Sequence, residues 1–189
     1  VCALDLKPYA LAFATRENGE RDVDACESLC HDLEESMKAT SSNETDEKSS
    51  QRHITISWLR LWLNCLTESP ERLFGRYQSL IVDCLESTDR QPGDDYLILA
   101  AHRLLPNTNS ERYENGTAIM RAILVVEAGL AQSPFNFHLK LLLIRLYTTI
   151  GAVGRAFDLW STLDVKHIQI ATLGHLVVRP VFHLGYFKQ

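Results

Sequence analysis

The sequence predicts an all-α fold of antiparallel helix pairs that form a segment of a tetratricopeptide-like α-solenoid. Three observations predict this class. Apolar residues recur at three- and four-residue steps along most of the chain, strand–helix alternation is not seen, and a helical repeat is detectable near the C-terminal end. The 189 residues, 46% of them apolar, can bury a core as one or two compact domains.

The helix pair with the clearest pattern lies within residues 133–163. Ser133 is a favourable N-cap and Pro134 suits the first helical position, so a helix is predicted to start there and to continue to Ile150. Gly151 then marks the turn to the second helix. Neither helix carries converging acids, histidines or cysteines on one face. The pair is therefore predicted to pack against neighbours rather than to carry chemistry.

The other helices follow from apolar spacing and from start and stop residues. They are predicted within residues 1–15, from Val23 to Met37, from Ile54 to Leu66, from Ser69 to about Glu86, from Asp94 or Asp95 to Leu105, and from Glu111 to Ala131.

These elements also predict how the chain is divided. The predicted segments are N-terminal helices (1–38), a flexible acidic, Ser-rich loop (39–51), a helical-repeat region (52–177) and an atypical C-terminal tail (178–189). The loop is predicted because its residues show no apolar periodicity. The tail is set apart because Pro180 is expected to break a helix.

A tetratricopeptide-like unit is predicted at about residues 118–164. The small residues Ala122 and Ala156 stand 34 residues apart in its second-helix position, where a small side chain lets two helices approach. The predicted structural positions of the repeat are Ala122, Leu143, Tyr147, Gly151, Ala156 and Trp160. The pattern is degenerate, because Lys140 replaces its Trp, Ile144 its Gly and Leu163 a small residue.

Charge and composition exclude several classes of function. The net charge is −5 and gives no global basic character, so no direct sequence-specific binding of nucleic acid is predicted. Apolar runs stay below the roughly 18 residues that a membrane span requires, and neither a membrane partner nor a signal peptide is expected. The first residue is not Met, so the chain is expected to be a fragment. Five cysteines, an odd number, suggest reduced thiols in a cytoplasmic protein.

Cys26, Cys30 and His31 are the nearest approach to a metal or redox cluster. The two cysteines lie one helical turn apart, but His31 points elsewhere and the spacing lacks a second ligand pair. Core thiols are the favoured interpretation, with a zinc or redox site as the alternative. Trp58 and Trp62, also one turn apart, are interpreted as a core stripe, with a ligand cage as the alternative. No catalytic or metal-binding residue is predicted.

Residues 151–156 contain two glycines and could form a cofactor loop, because acetyl-CoA enzymes bind the pyrophosphate with a Gly-rich loop between a strand and a helix. Here the glycines follow a helix, and no arginine or glutamine precedes them at the required spacing. A helix–helix turn is the favoured interpretation, and no cofactor is predicted for this chain.

Three stretches resemble the auxiliary, non-catalytic subunits of the N-terminal acetyltransferase B (NatB) complex. They are DDYLILAAHRLL (94–105), LVVEAGLAQSPFNFHLKLLLIRLYTTIGA (124–152) and LWSTLDVKHIQIATLGHLV (159–177). The most specific part is residues 163–169 followed by Thr172, Leu173 and Gly174. The resemblance covers residues 94–177, whereas residues 1–90 are less distinctive.

The resemblance implies a scaffold that wraps a catalytic acetyltransferase subunit and helps to hold the complex at the ribosome. Such a complex acetylates nascent chains that begin with Met followed by Asp, Glu, Asn or Gln, and acetyl-CoA is expected on the catalytic partner. Lys166, His167 and Gln169 are weak candidates for a polar contact surface, with an exposed turn as the alternative. A helical-repeat adaptor of another complex is the alternative function.

Overall fold

The computed structural model describes residues 22–39, 46–83, 86, 88–105, 112–163 and 173–183. The regular structure in these ranges is helical, which confirms the all-α prediction. Its helices are α1 (Val23–Ala39), α2 (Asp46–Trp62), α3 (Pro70–Ser79), α4 (Asp94–Leu104), α5 (Arg112–Gln132), α6 (Phe137–Thr149), α7 (Val153–Ser161) and α8 (His175–His183). None of the described helices is both long and apolar enough to cross a membrane. The helix predicted within residues 1–15 lies outside the described ranges.

The chain divides into an N-terminal unit, Val1–Arg72, and a C-terminal unit, Leu73–Gln189. In the N-terminal unit α1 packs on α2. Asp22 caps α1, since its carboxylate accepts the backbone N–H of Ala25 at 3.2 Å. The two helices share an apolar cluster of Cys26, Cys30, Leu59, Leu63 and Cys65, to which Leu29, Leu33 and Trp62 add partly buried side chains.

Helix α2 begins at Asp46, so the predicted loop 39–51 is wrong for its second half. Lys48 and Ser49 are exposed although they are helical. Apolar periodicity detects only a helix face that is buried, and a solvated first turn can extend a packed helix at little cost. The boundary between the two compact units falls inside the predicted repeat region 52–177, and the other predicted segment limits stay predictions.

In the C-terminal unit consecutive helices pack on one another. Helix α4 contacts α5, α5 contacts α6, and α6 contacts α7, while α8 packs on both α6 and α7. Such nearest-neighbour packing is typical of helical solenoids. The fully buried side chains of these interfaces include Leu97, Leu99, Ala122, Val126, Leu139, Leu143, Ile144 and Ala156.

The predicted N-cap Ser133 is wrong, because Asn136 caps α6. The side-chain oxygen of Asn136 accepts the backbone N–H groups of His138 at 2.9 Å and Leu139 at 3.3 Å. The Ser133 hydroxyl instead accepts the backbone N–H of Gln91 at 3.2 Å. Ser and Asn are comparable caps in isolation, so the contact with Gln91 decides between them.

The start of α4 and the end of α3 also differ from the predicted helix boundaries. Gly93 is the N-cap of α4 and no side chain caps it, so the aspartates lie inside the first turn. Helix α3 ends at Ser79 rather than near Glu86. The Gln91 side chain bonds to both the N–H and the C=O of Val82, at 2.9 and 3.0 Å, and holds this segment out of the helix.

Helix α8 continues through Pro180, so the predicted break at this residue is wrong. A proline removes one intrahelical hydrogen bond, but its fixed φ is compatible with helix. The packing of α8 on α6 and α7 stabilises it against that loss.

Candidate functional site

The predicted repeat positions lie along the helix interfaces of the C-terminal unit. Ala122, Leu143 and Ala156 are each 0% exposed. Gly151 has a φ of +82°, a left-handed conformation that suits glycine, and it forms the turn between α6 and α7. The residues tested as a cofactor loop therefore connect two helices. Trp160 is half-buried, and its neighbour Leu159 has the more buried side chain.

Tyr147 takes part in a polar contact that connects three helices. It donates a hydrogen bond of 2.6 Å to the Glu127 carboxylate, which lies on α5. The Arg155 guanidinium of α7 lies 3.6 Å from the same Glu127 oxygen and 6.0 Å from the centre of the Tyr147 ring. Burial and the Glu127 carboxylate raise the pKa of Tyr147. Tyr147, a position of the predicted repeat, thus makes a polar as well as an apolar contact.

Lys140, which stands where the predicted repeat has a Trp, is accommodated in the helix interface. Its side chain is buried, and its ammonium group donates to the backbone oxygen of Thr162 at 3.3 Å. The Nζ atom also lies 5.8 Å from the centre of the Phe135 ring. The aliphatic stem fills the interface while the charge finds a backbone acceptor.

A buried polar junction connects the segment before α4 with the segment before α6. Besides the bond between Gln91 and Ser133, the Asn136 amide donates to Asp94 Oδ2 at 2.7 Å. Both pairs are 42 residues apart in the chain. They join segments that are distant in the chain, and sequence reasoning missed them because each partner alone is an ordinary turn or cap residue.

The junction leaves two buried polar atoms without a partner among the described residues, Asp94 Oδ1 and the Tyr77 hydroxyl. Burial raises the pKa of Asp94, although hydrogen bonds from Asn136 and Ser133 act in the opposite direction. Burial and the neighbouring Asp94 carboxylate raise the pKa of Tyr77 to about 12. These groups lie inside the helix packing, which gives them a structural role.

The three neighbouring residues Cys26, Cys30 and His31 lie in different environments. Cys26 and Cys30 are each 1% exposed, whereas His31 is exposed. Within the ranges that the structure describes, no three His, Cys, Asp or Glu side chains are grouped as ligands of a metal ion. The cluster contains Cys65 as well, which the sequence placed on a different helix.

A left-handed turn brings Cys65 to this cluster. Asn64 has a φ of 60°, and the N–H of Cys65 donates to the backbone oxygen of Arg60 at 2.9 Å, as in a Schellman C-cap. The chain therefore leaves α2 at Trp62, earlier than the predicted Leu66.

A shallow pocket of about 510 Å³ opens beside Cys65 in the N-terminal unit. It is lined by Asp24, Glu27, Ser28, His31, Arg60, Cys65 and Thr67. The Arg60 guanidinium also forms an ion pair of 2.8 Å with Glu34, so α2 is tied to α1 beside the pocket. The mixed charge of this lining does not define a ligand class by itself.

The candidate contact residues Lys166, His167 and Gln169 lie outside the described residues. Among the described residues of the C-terminal unit, several large apolar side chains are exposed. The sequence pattern did not distinguish them from buried apolar residues. They are Val82, Met120, Leu124, Phe135, Phe137, Ile150, Phe157, Val178 and Phe182.

The helices of the C-terminal unit from α4 to α7 pack in sequence order, and they define an all-α, solenoid-like class of protein. The family model for the N-acetyltransferase B complex (NatB) non-catalytic subunit matches residues 1–189. The chain belongs to this family.

Individual relatives agree with the family match. The chain is 41% identical over 104 residues to N-alpha-acetyltransferase 25, NatB auxiliary subunit, of Rattus norvegicus, which covers 55% of this chain and 10% of the relative. The corresponding protein of Homo sapiens is 40% identical over 104 residues, with the same coverage. The N-terminal acetyltransferase B complex subunit arm1 of Schizosaccharomyces pombe is 38% identical over 96 residues, or 48% of this chain and 12% of that protein.

Proposed function

We propose that this chain contributes to a non-catalytic scaffold subunit of the NatB complex, which binds and positions a catalytic acetyltransferase subunit. The observation that carries the proposal is the family match across residues 1–189. The successive helix packing of the C-terminal unit supports it, because helical repeats present extended surfaces to partner proteins. The matched part of the chain spans 10% of the rat and human relatives, so it would supply only part of such a surface.

The proposal also covers the cellular location and the substrates of the complex. The complex works in the cytoplasm at the ribosome and acetylates nascent chains that begin with Met followed by Asp, Glu, Asn or Gln. Acetyl-CoA binds to the catalytic partner, and this chain holds no cofactor. The turn at Gly151 supports this division of labour, because it joins two helices instead of the strand and helix of a pyrophosphate loop.

An activity assay tests the division of labour. This chain, the NatB catalytic subunit and a mixture of the two are each given acetyl-CoA and a peptide that begins with Met-Asp. We expect no transfer by this chain alone and a higher rate for the mixture than for the catalytic subunit. Transfer by this chain alone, or an unchanged rate in the mixture, would count against the proposal.

The contact surface is proposed to include exposed apolar side chains of α5 and α7 together with the polar residues Lys166, His167 and Gln169. Leu124 is 66% exposed and Phe157 is 56% exposed, so both apolar side chains are accessible to a partner protein. Apolar anchors surrounded by polar groups are typical of protein–protein interfaces.

Charge-introducing variants test this surface. Leu124→Asp and Phe157→Asp are expected to weaken binding of the catalytic subunit at least about tenfold, the weakening that a loss of about 1.4 kcal/mol produces. Gln132→Asp, at an exposed polar position of α5, serves as the matched control and is expected to bind like the wild type. The triple alanine variant of Lys166, His167 and Gln169 tests the polar part. Circular dichroism of every variant separates a lost contact from a lost fold.

A further inference from the structure

Two cysteines from different helical segments meet beside the pocket of the N-terminal unit. Cys30 lies on α1 and Cys65 follows α2, and both belong to the apolar cluster that the two helices share. Cys65 lines the pocket, whereas Cys30 is 1% exposed and lies in the apolar cluster behind it. A molecule in the pocket can therefore meet the thiol of Cys65 but not that of Cys30.

The backbone holds both cysteines in place. Cys30 is part of a continuous helix, and Cys65 is fixed by the C-cap turn in which Asn64 has a φ of 60°. The ion pair of 2.8 Å between Arg60 and Glu34 ties the two segments together next to the thiols. The packing of α1 on α2 thus holds the two cysteines in one apolar cluster.

We propose that Cys65 and Cys30 form a redox-active dithiol site that reacts with small-molecule disulfides entering the pocket and ends as a Cys30–Cys65 disulfide. The co-reactant is a low-molecular-weight disulfide such as oxidised glutathione. This site is independent of the proposed scaffold function, since it depends only on contacts within the N-terminal unit.

The reaction proceeds by two thiol–disulfide exchanges. The Cys65 thiolate attacks one sulfur of the external disulfide, forms a mixed disulfide and releases one thiol. The Cys30 sulfur then attacks Cys65 Sγ, forms the Cys30–Cys65 bond and releases the second thiol. The protein gives up two electrons and two protons, and the external disulfide is reduced to two thiols.

The order of attack follows from the surroundings of the two sulfur atoms. Burial and the Glu27 carboxylate raise the pKa of Cys65, while the neighbouring Cys30 thiol and the Arg60 guanidinium act in the opposite direction. Burial raises the pKa of Cys30 to about 12, and the neighbouring Cys65 adds to the increase. Cys65 therefore attacks first. Cys30 reacts second, because the mixed disulfide then stands beside it at high effective concentration.

Peptide mapping of the oxidised wild-type chain tests the proposal without any substitution. The reduced 189-residue chain is treated with oxidised glutathione under native conditions, the remaining thiols are alkylated, and the peptides are identified by mass spectrometry. We expect a Cys30–Cys65 cross-link as the main product of the N-terminal unit. Unmodified Cys65, or glutathione attached to Cys26 in preference to Cys65, would overturn the proposal.

Three serine variants separate the roles of the cysteines. Cys30→Ser is expected to accumulate glutathione on Cys65, because the second exchange is lost. Cys65→Ser is expected to leave Cys30 unmodified. Cys26→Ser is the matched control, since Cys26 is as buried as Cys30 and does not line the pocket, and it should cross-link like the wild type. Modification of Cys30 in the absence of Cys65 would contradict the proposed order.

Discussion

Gly129 shows how a single small residue sets the approach of two helices in the C-terminal unit. A Cβ atom added at this position of α5 would lie 2.1 Å from Leu97 Cδ1 on α4 and 3.4 Å from Leu139 Cδ1 on α6. The first distance is shorter than any tolerable contact, so Leu97 or the helix backbone would have to move. The second glycine of α5, Gly116, has no atom within 4 Å of the added Cβ.

Gly129→Ala is expected to lower the free energy of unfolding by about 1–3 kcal/mol, as overpacking of a core does. Gly116→Ala in the same helix is the matched control and should raise it by roughly 0.5–1 kcal/mol, because it only removes backbone freedom from the unfolded chain. Urea unfolding followed by circular dichroism measures both. Equal effects of the two substitutions would show that α4 and α5 do not approach closely at Gly129.

The buried carboxyl group of Asp94 gives the stability a defined pH dependence. Its pKa in the folded protein is raised above the ordinary value of 3.8, chiefly by burial. The folded state therefore binds the proton more tightly than the unfolded state. It follows that the free energy of unfolding is highest below the unfolded pKa and decreases as the pH rises through the folded pKa.

Asp94→Asn is expected to remove this decrease, because the amide stays neutral and can still accept the hydrogen bond from Asn136. Urea unfolding of wild type and variant at several values between about pH 4 and 8 measures the difference. Parallel pH profiles of the two proteins would mean that Asp94 does not carry the effect.

At the level of helices, Asn136 both starts α6 and joins it to α4. Its side-chain oxygen caps two backbone N–H groups, and its amide donates to Asp94. Asn136→Ala is expected to lower the free energy of unfolding by about 2 kcal/mol or more. The reason is that α6 loses its cap and the buried Asp94 carboxylate loses a hydrogen-bond donor. Gln132→Ala, at an exposed position, should change it by less than about 0.5 kcal/mol. A loss no larger than that of the control would contradict the assignment of Asn136 as cap and link.

The contact between Tyr147 and Glu127 provides a second test of helix coupling. A double-mutant cycle with Tyr147→Phe and Glu127→Gln, measured by urea unfolding, should give an interaction energy of about 0.5–1.5 kcal/mol. The hydrogen bond of 2.6 Å and the adjacent Arg155 make this the strongest side-chain link that we describe between α5, α6 and α7. Additive effects would show that the pair does not couple the helices.

Over the whole molecule, the sequence predicted what depends on local periodicity and missed what depends on distant partners. The all-α class follows from apolar spacing, and the turn at Gly151 follows from the residue type. The end of α3 could not be predicted because it depends on Gln91, nine residues beyond Val82. The meeting of Cys30 with Cys65 is of the same kind, since neither residue carries a sign of the other.

The existence of an interaction site could be predicted from the family resemblance, but most of its residues could not. Residues 94–177 carried the resemblance, and the family match extends over residues 1–189. The exposed side chains of Leu124 and Phe157 were not distinguished from core residues, because helical spacing alone does not reveal which apolar side chains a neighbouring helix covers. Lys166, His167 and Gln169 stay predictions.

Binding to a defined catalytic subunit tests the central claim most directly. The tagged chain is co-expressed either with the NatB catalytic acetyltransferase subunit or with the catalytic subunit of a different N-terminal acetyltransferase complex, and each pair is purified by affinity and size-exclusion chromatography. We predict co-elution at a constant ratio with the NatB subunit alone. Binding to neither subunit, or to both equally, would contradict the account, and the second result would favour a general helical-repeat adaptor.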